Sequence, residues 1–266
     1  MSNPYIPPEI LDYIVDLLRD NQNALKDCCL VSKSWIPRTR KHLFAEVSLL
    51  SEEHLESWKK TFSDPSTSPA HFAKSLRVGC AGAVTAADAE AGGWLIGFVH
   101  IAHLEIETPD MYPAESVISL VPFHGFSRTV KSLCVRSVDI PPSRIFNFVL
   151  SSPLLEDLII ARYGASVDDS DGSNGPPTSS QPSNPPVFTG SLKLPLERGM
   201  EPIAGRLLSM PGGIHFRELV LKWHCVGDIL LTMALVGECS HTLESLDIAC
   251  AFDGRSIRCQ QYHIDK

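Results

Sequence analysis

The sequence predicts an α/β protein that begins with a unit of three helices, residues 1–44, and continues as a β/α solenoid with a mostly parallel, curved sheet, residues 45–266. Two observations support this prediction. In the N-terminal segment the apolar residues recur at helical spacing, and beyond residue 44 short aliphatic runs return at an almost constant interval. Strands and helices that alternate at a fixed period stack into one continuous core.

The first helix is predicted directly after Pro7 and Pro8, because proline is favoured at the first helical position. Glu9 and Asp12 follow in the first turn, where the helix dipole favours negative charge. The apolar residues of this segment recur at helical spacing, which places them on one side of the helix. They are Ile10, Leu11, Ile14, Leu17 and Leu18.

Two shorter helical segments follow the first. Asp20 and Asn21 end the first pattern, and the second stretch runs from Leu25 to the polar pair at Ser32. The third is a basic segment that closes on Phe44. The unit holds more apolar residues than three short helices can bury, which indicates that some stay exposed until a partner covers them.

In chain order, IPPEILDYIVDLL, LKDCCLVSKSW and RTRKHLFAEV resemble the F-box, with its paired prolines, apolar first helix and valine, serine and tryptophan signature. The sequence differs from the family pattern at Cys28 and Cys29, where F-boxes more often have aliphatic residues. It implies docking on a Skp-type adaptor and, through that adaptor, on a cullin. The adaptor-binding residues it implies are Pro7, Pro8, Ile10, Leu11, Ile14, Leu25, Cys28, Val31 and Trp35.

The alternative interpretation assigns no docking role to these residues. In that case their role is structural, and the core of a helical cap on the following domain is formed by Leu11, Ile14, Val31 and Trp35.

The second part of the chain carries a degenerate repeat. Runs such as IAHLEI, VKSLCV, FRELVL and LESLDI share a central leucine, and the gaps between successive central positions range from 25 to 34 residues. Those positions are Val47, Leu76, Leu104, Leu133, Leu158, Leu192, Leu219 and Leu246. The body resembles the leucine-rich repeats that often follow an F-box, although it lacks their asparagine after the strand.

Alternation within each predicted strand assigns its residues to two faces of the sheet. Leucines of the pattern point inward, and Glu105, Cys134, Val220 and Asp247 are expected on the opposite, concave face. Helices are predicted between the strands in HLESWKKTF, TAADAEAGGWLIGFV, ESVISLV, RIFNFVL, IAGRLLSM and DILLTMALVGE. The longest gap contains a Gly-, Ser-, Pro- and Asp-rich stretch, predicted to be a disordered insert at residues 164–187.

Composition excludes several kinds of partner. The formal net charge is −8, with no dense basic cluster, so nucleic acid is not an expected partner. No signal peptide or membrane-spanning run is visible, which predicts a cytoplasmic or nuclear protein without a membrane partner. The eight cysteines are scattered, mostly within apolar runs, and are interpreted as buried reduced thiols.

No sequence motif indicates catalysis, a cofactor or a metal. VGCAGAVTAADAE does not match G-x-G-x-x-G, and the histidines have no metal-ligand spacing. We therefore expect a non-enzyme that uses no cofactor. The leading hypothesis is that the chain is the substrate-recognition subunit of a Skp, cullin and F-box ubiquitin ligase and binds an unidentified protein substrate. The alternative is that the chain is a scaffold that binds partner proteins without ubiquitin transfer.

Overall fold

Each aliphatic run of the repeat forms one strand of a single sheet. The computed structural model describes residues 7–79, 84–90, 93–107, 120–136, 140–161, 186–194, 201–223, 227–252 and 255–263. The strands are β1 Glu46–Leu49, β2 Ser75–Val78, β3 His103–Glu107, β4 Ser132–Arg136, β5 Asp157–Ala161, β6 Ser191–Leu194, β7 Glu218–Trp223, β8 Ser245–Phe252 and β9 Arg255–His263. They lie in the sheet in their sequence order.

The eight central positions of the sequence repeat occupy one row across the sheet. Val47 is the Cα partner of Leu76, Leu76 of Leu104, and the row continues without a shift to Leu246. Seven of the eight are buried, and Leu246 is partly buried. Because side chains alternate along a strand, a second buried row, which includes Leu49, Ile106 and Ile160, lies two residues further on.

β1 to β8 run parallel to one another, and helical segments connect several of them. The α/β class predicted from the repeat is confirmed. The helices are α1 Pro8–Leu17, α2 Gln22–Val31, α3 Ile36–Leu43, α4 Glu52–Thr61, α5 Pro142–Leu150, α6 Glu201–Leu208 and α7 Gly227–Cys239.

The alanine-rich segment TAADAEAGGWLIGFV was predicted to be one helix, and that prediction is wrong. Two short 3₁₀ helices, Ala86–Ala89 and Trp94–Gly97, replace it. Two consecutive glycines at 92 and 93 oppose a continuous helix, since glycine costs about 1 kcal/mol relative to alanine in a helix interior. Further 3₁₀ helices lie at Pro69–Phe72 and Val121–Phe126, whereas most of the predicted ESVISLV helix lies outside the described residues.

A repeated hydrogen-bond pattern joins most of the parallel strands to the next one. The carbonyl of Ala45, just before β1, accepts from Lys74 N at 2.8 Å and from Ser75 N at 3.1 Å. Five further carbonyls accept two hydrogen bonds from the following strand in the same way, those of Lys74, Ala102, Lys131, Gly190 and Arg217. We call this arrangement the two-donor junction. It pairs backbone groups just outside the ladder and holds each strand in register with its neighbour.

The junction between β5 and β6 differs from the others. Gly190 N donates to Glu156 O at 3.2 Å, but the second donor, Ser191 N, is bound by the side chain of Asp157, with Oδ1 at 2.6 Å. Ser191 Oγ donates to the same oxygen at 2.9 Å. The predicted insert 164–187 enters the chain between these two strands, and all but its last two residues lie outside the described part.

β9 pairs antiparallel with β8 and forms the last strand of the sheet. This strand was not predicted from the sequence, because it carries no copy of the leucine repeat. Asp253 and Gly254, a pair typical of two-residue hairpin turns, stand between the two strands in the sequence and are the signal that could have revealed it.

Cys28, Cys134 and Cys239 are buried free thiols, and Cys29 is a half-buried one. For these four of the eight cysteines, the interpretation as reduced thiols agrees with the structure. Within the described residues, no helix combines the length and apolar character that crossing a membrane requires.

Candidate protein interface on the N-terminal helices

An ion-pair cluster holds α1 against α3. Arg38 on α3 binds Asp16 on α1 through both carboxylate oxygens, with Nε donating to Oδ1 at 2.7 Å and Nη2 donating to Oδ2. His42 Nε2 lies 2.7 Å from the same Oδ1. Hydrogen bonds from Arg38 and His42 hold the pKa of Asp16 well below its usual range, and the bond to Asp16 raises the pKa of Arg38.

Changing Asp16 to Asn should reduce stability in a pH-dependent way. Because the folded pKa of Asp16 is lowered, its carboxylate contributes stability that is fully present above the unfolded pKa, about 3.9, and is lost as the pH falls through the folded value. We therefore expect the difference in unfolding free energy between wild type and Asp16→Asn to shrink below about pH 4.

Urea unfolding followed by circular dichroism between pH 3 and pH 8, with Asp27→Asn on α2 as the control, measures this difference. A difference that stays constant down to pH 3 would show that the cluster does not form in solution.

The interior between the three helices is small. Val15, Leu25, Cys28 and Thr39 are its buried side chains. The Thr39 hydroxyl donates to the carbonyl of Trp35 at 2.8 Å, so this buried polar group has its partner. Asn21 caps α2 by accepting from Ala24 N at 3.0 Å.

Four large apolar side chains on α1 remain outside this interior. Ile10, Tyr13, Ile14 and Leu17 follow one another at intervals of three, one and three residues, which places them on one helix face. Their exposed fractions are 50%, 63%, 37% and 66%. We call this set the α1 stripe. Leu30 and Val31 at the end of α2 are also exposed, at 86% and 67%.

The residues predicted to bind an adaptor divide into three groups by burial. The exposed group consists of Pro7, Pro8, Ile10, Ile14 and Val31. The half-buried group consists of Leu11 and Trp35. Leu25 and Cys28 are buried, so in this structure they belong to the core of the helical unit and not to its surface. Tyr13, Leu17 and Leu30 were not predicted as site residues.

An aromatic cluster joins the helical unit to the sheet. Phe44, at the end of α3, packs edge-on against Trp58 and Phe62 of the α4 region, with ring centroids 6.3 and 6.1 Å apart. Trp58 continues to Phe98 at 5.5 Å. Val47 and Leu49 follow in β1 with buried side chains, so the helices and the first strand share one packed boundary.

The face of the sheet opposite the buried rows carries paired charges. Arg77 Nη2 donates to Glu107 Oε2 at 2.8 Å, and Arg77 Nε lies 3.4 Å from Glu105 Oε1. Arg136 Nε lies 3.0 Å from the same Glu105 oxygen. Three neighbouring strands are thus linked by ion pairs on this face, to which Glu105, Cys134, Val220 and Asp247 were assigned from the sequence.

The described residues offer little catalytic chemistry. Ser151 Oγ lies 3.5 Å from His124 Nδ1, but its hydroxyl donates to Phe148 O at 2.8 Å, which leaves it unsuited as a nucleophile. Burial lowers the pKa of His124. Within the described ranges, no group of three or more His, Cys, Asp or Glu side chains could hold a metal ion.

No protein-family model, curated protein or solved structure matches the chain.

Proposed function

We propose that the chain is the substrate-recognition subunit of an SCF-type E3 ubiquitin ligase. An F-box, residues 1–44, binds a Skp-type adaptor, and leucine-rich repeats, residues 45–266, bind a target protein. The observation that supports this best is the α1 stripe. It exposes four large apolar side chains on a helical unit whose own interior contains only four buried side chains in the described part of the chain.

The stripe has the form expected of a helix that docks in a groove. Anchors at i, i+3, i+4 and i+7 face one direction. Full burial of a completely exposed side chain of this kind contributes about 1.5–3 kcal/mol, and each of these four, already partly buried, contributes less. Tyrosine is enriched among the residues that dominate binding energy, and Tyr13 lies within this set. The Asp16 cluster supports the same role because it fixes α1 against α3 before any partner arrives.

The sheet supplies the second surface of the proposal. Its buried rows are fully used for packing, so a target would contact the opposite face, where the ion pairs of Arg77, Glu105 and Arg136 lie. In this proposal the chain carries no catalytic group, ubiquitin transfer takes place on other subunits, and the protein works in the cytoplasm or the nucleus.

A scaffold that binds an adaptor without delivering a substrate is the second candidate. The same α1 stripe supports it, since adaptor binding alone does not require a cullin. The two candidates differ only in what assembles on the adaptor.

Reconstitution tests the proposal and separates these candidates. The full chain, mixed with a Skp-type adaptor, should elute as a one-to-one complex in size-exclusion chromatography with light scattering, and a cullin should join it. Failure to bind the adaptor would refute both candidates. An adaptor complex that excludes the cullin would favour the scaffold.

A further inference from the structure

The outer edge of β1 presents backbone groups that no strand in the described part of the chain pairs with. β1 lies at the end of the sheet, next to β2 only. The carbonyls of Ala45 and Leu49 point toward β2, since they accept from Ser75 N at 3.1 Å and from Gly79 N at 2.8 Å. In a parallel ladder alternate residues turn their N–H and C=O to opposite sides, so those of Glu46 and Ser48 point away from the sheet.

An apolar wall lies beside the Leu49 end of this edge. A cavity of about 320 Å³ lies there, with an apolar side formed by Phe44, Leu49, Trp58 and Phe62 and a polar side formed by Ser48, His54, Ser57 and Thr61. Phe44 and Phe62 are only partly buried and pack against the core. A strand added to β1 would therefore find apolar surface on the side of the sheet that faces the core.

The other end of the edge carries an uncompensated negative charge. A second cavity, about 360 Å³, is bounded by Arg19, Asp20, His42 and Glu46, among others. Arg19 lies 3.6 Å from Asp20, and His42 is bound to Asp16 at 2.7 Å. Glu46 is exposed and forms no ion pair with any side chain in the described ranges. A positive group on a partner would complement it.

We propose that the edge of β1 binds an extended segment of a partner protein by strand addition. The segment carries a lysine or arginine beside Glu46 and an apolar residue three positions away, against Phe44 and Phe62. A separation of three places the two side chains on opposite faces of the added strand, as Glu46 and Leu49 are on β1. The edge is distinct from the α1 stripe and would serve a different partner from the adaptor.

Two fluorescent peptides test this proposal by fluorescence anisotropy with the full chain. TVKVTLTV places lysine before leucine for parallel addition, and VTLTVKVT reverses the order for antiparallel addition. We expect one of the two to bind. Glu46→Lys should weaken that binding roughly tenfold, and replacing the lysine of the peptide with glutamate should restore it on this variant.

Ser48→Pro provides the test of backbone pairing. Proline removes the outward N–H of Ser48 without removing a bond between β1 and β2, whereas Ser48→Thr keeps the N–H and serves as the matched control. Ser48→Pro should reduce peptide binding by roughly tenfold or more, and Ser48→Thr should not. Circular dichroism verifies that both variants are folded, and Glu46→Lys tests the same edge without a backbone change.

Three results would overturn the proposal. The first is that neither peptide binds the wild type, and the second is that Ser48→Pro binds the peptide as tightly as the wild type. The third is that the wild type forms a dimer that Ser48→Pro dissociates, because the edge would then bind a second copy of the chain. Adaptor binding by Ser48→Pro and Glu46→Lys should remain unchanged, so this proposal and that of the adaptor interface can fail separately.

Discussion

Replacing Tyr13 and Leu17 together with alanine should weaken binding to a Skp-type adaptor by about 100-fold, because both side chains are mostly exposed and would be buried only in the complex. Neither contributes to the small interior of the helical unit. Alanine also preserves the helix. The loss should therefore appear in affinity and not in folding, as measured by isothermal titration calorimetry alongside thermal unfolding.

The chain offers a closely matched control for this experiment. Leu230 and Met233 on α7 are 75% and 65% exposed and stand three residues apart on one helix. Changing both to alanine removes a similar amount of exposed apolar surface far along the sequence from α1. Equal losses from the two double variants would contradict a specific interface on α1. An undiminished affinity of the Tyr13 and Leu17 variant would exclude the stripe as the docking surface.

The half-buried residues Leu11 and Trp35 are less suitable for this test. They were natural targets from the sequence because both belong to the signature that resembles an F-box. In the structure each is partly enclosed within the helical unit, so replacing them would lower stability as well as affinity. The exposed stripe separates these two effects.

The second large effect is expected at the centre of the sheet. Leu133 on β4 is fully buried and has row partners on both sides, Leu104 and Leu158. Leu133→Ala should lower the free energy of unfolding by about 2–5 kcal/mol, since the close-packed row cannot collapse around the missing atoms. Urea unfolding followed by circular dichroism measures the change.

Leu230→Ala makes the same chemical change at an exposed position. It should alter the free energy of unfolding by no more than about 0.5 kcal/mol. A comparable loss at both positions would mean that the leucine row does not form the core. A Leu133→Ala variant as stable as the wild type would lead to the same conclusion.

The strands could be predicted from the sequence because one physical requirement repeats along the chain. Each repeat must bury the same leucine against its neighbours, so Val47 to Leu246 appear as a periodic pattern that needs no knowledge of the loops. The segments around residues 86–97 are different. Their alanines favour a helix locally, but the consecutive glycines and the packing of Trp94 against Phe98 favour two short turns.

The candidate interface was predicted only in part. Apolar spacing places Leu11, Ile14 and Leu17 on α1, but spacing alone does not show which of them face the other helices. That depends on how Asp16 and Arg38 orient α1 over α3, a contact between residues 22 positions apart. The burial of Leu25 and Cys28 depends on the same packing, which the spacing of their segment does not reveal. On α1, a helical projection places Tyr13 on the side away from the buried Val15, and this is the signal that could have identified it.

The exceptional junction between β5 and β6 marks a position at which the chain can be lengthened. Asp157 binds Ser191 through its side chain, so β6 is aligned by a local contact that does not depend on the length of the segment between Ala161 and Pro186. Closing a loop twice as long costs only about 0.6 kcal/mol more. For protein engineering this makes the segment a suitable place to graft a reporter domain or an affinity tag, because Asp157 and Ser191 would still define where the sheet resumes.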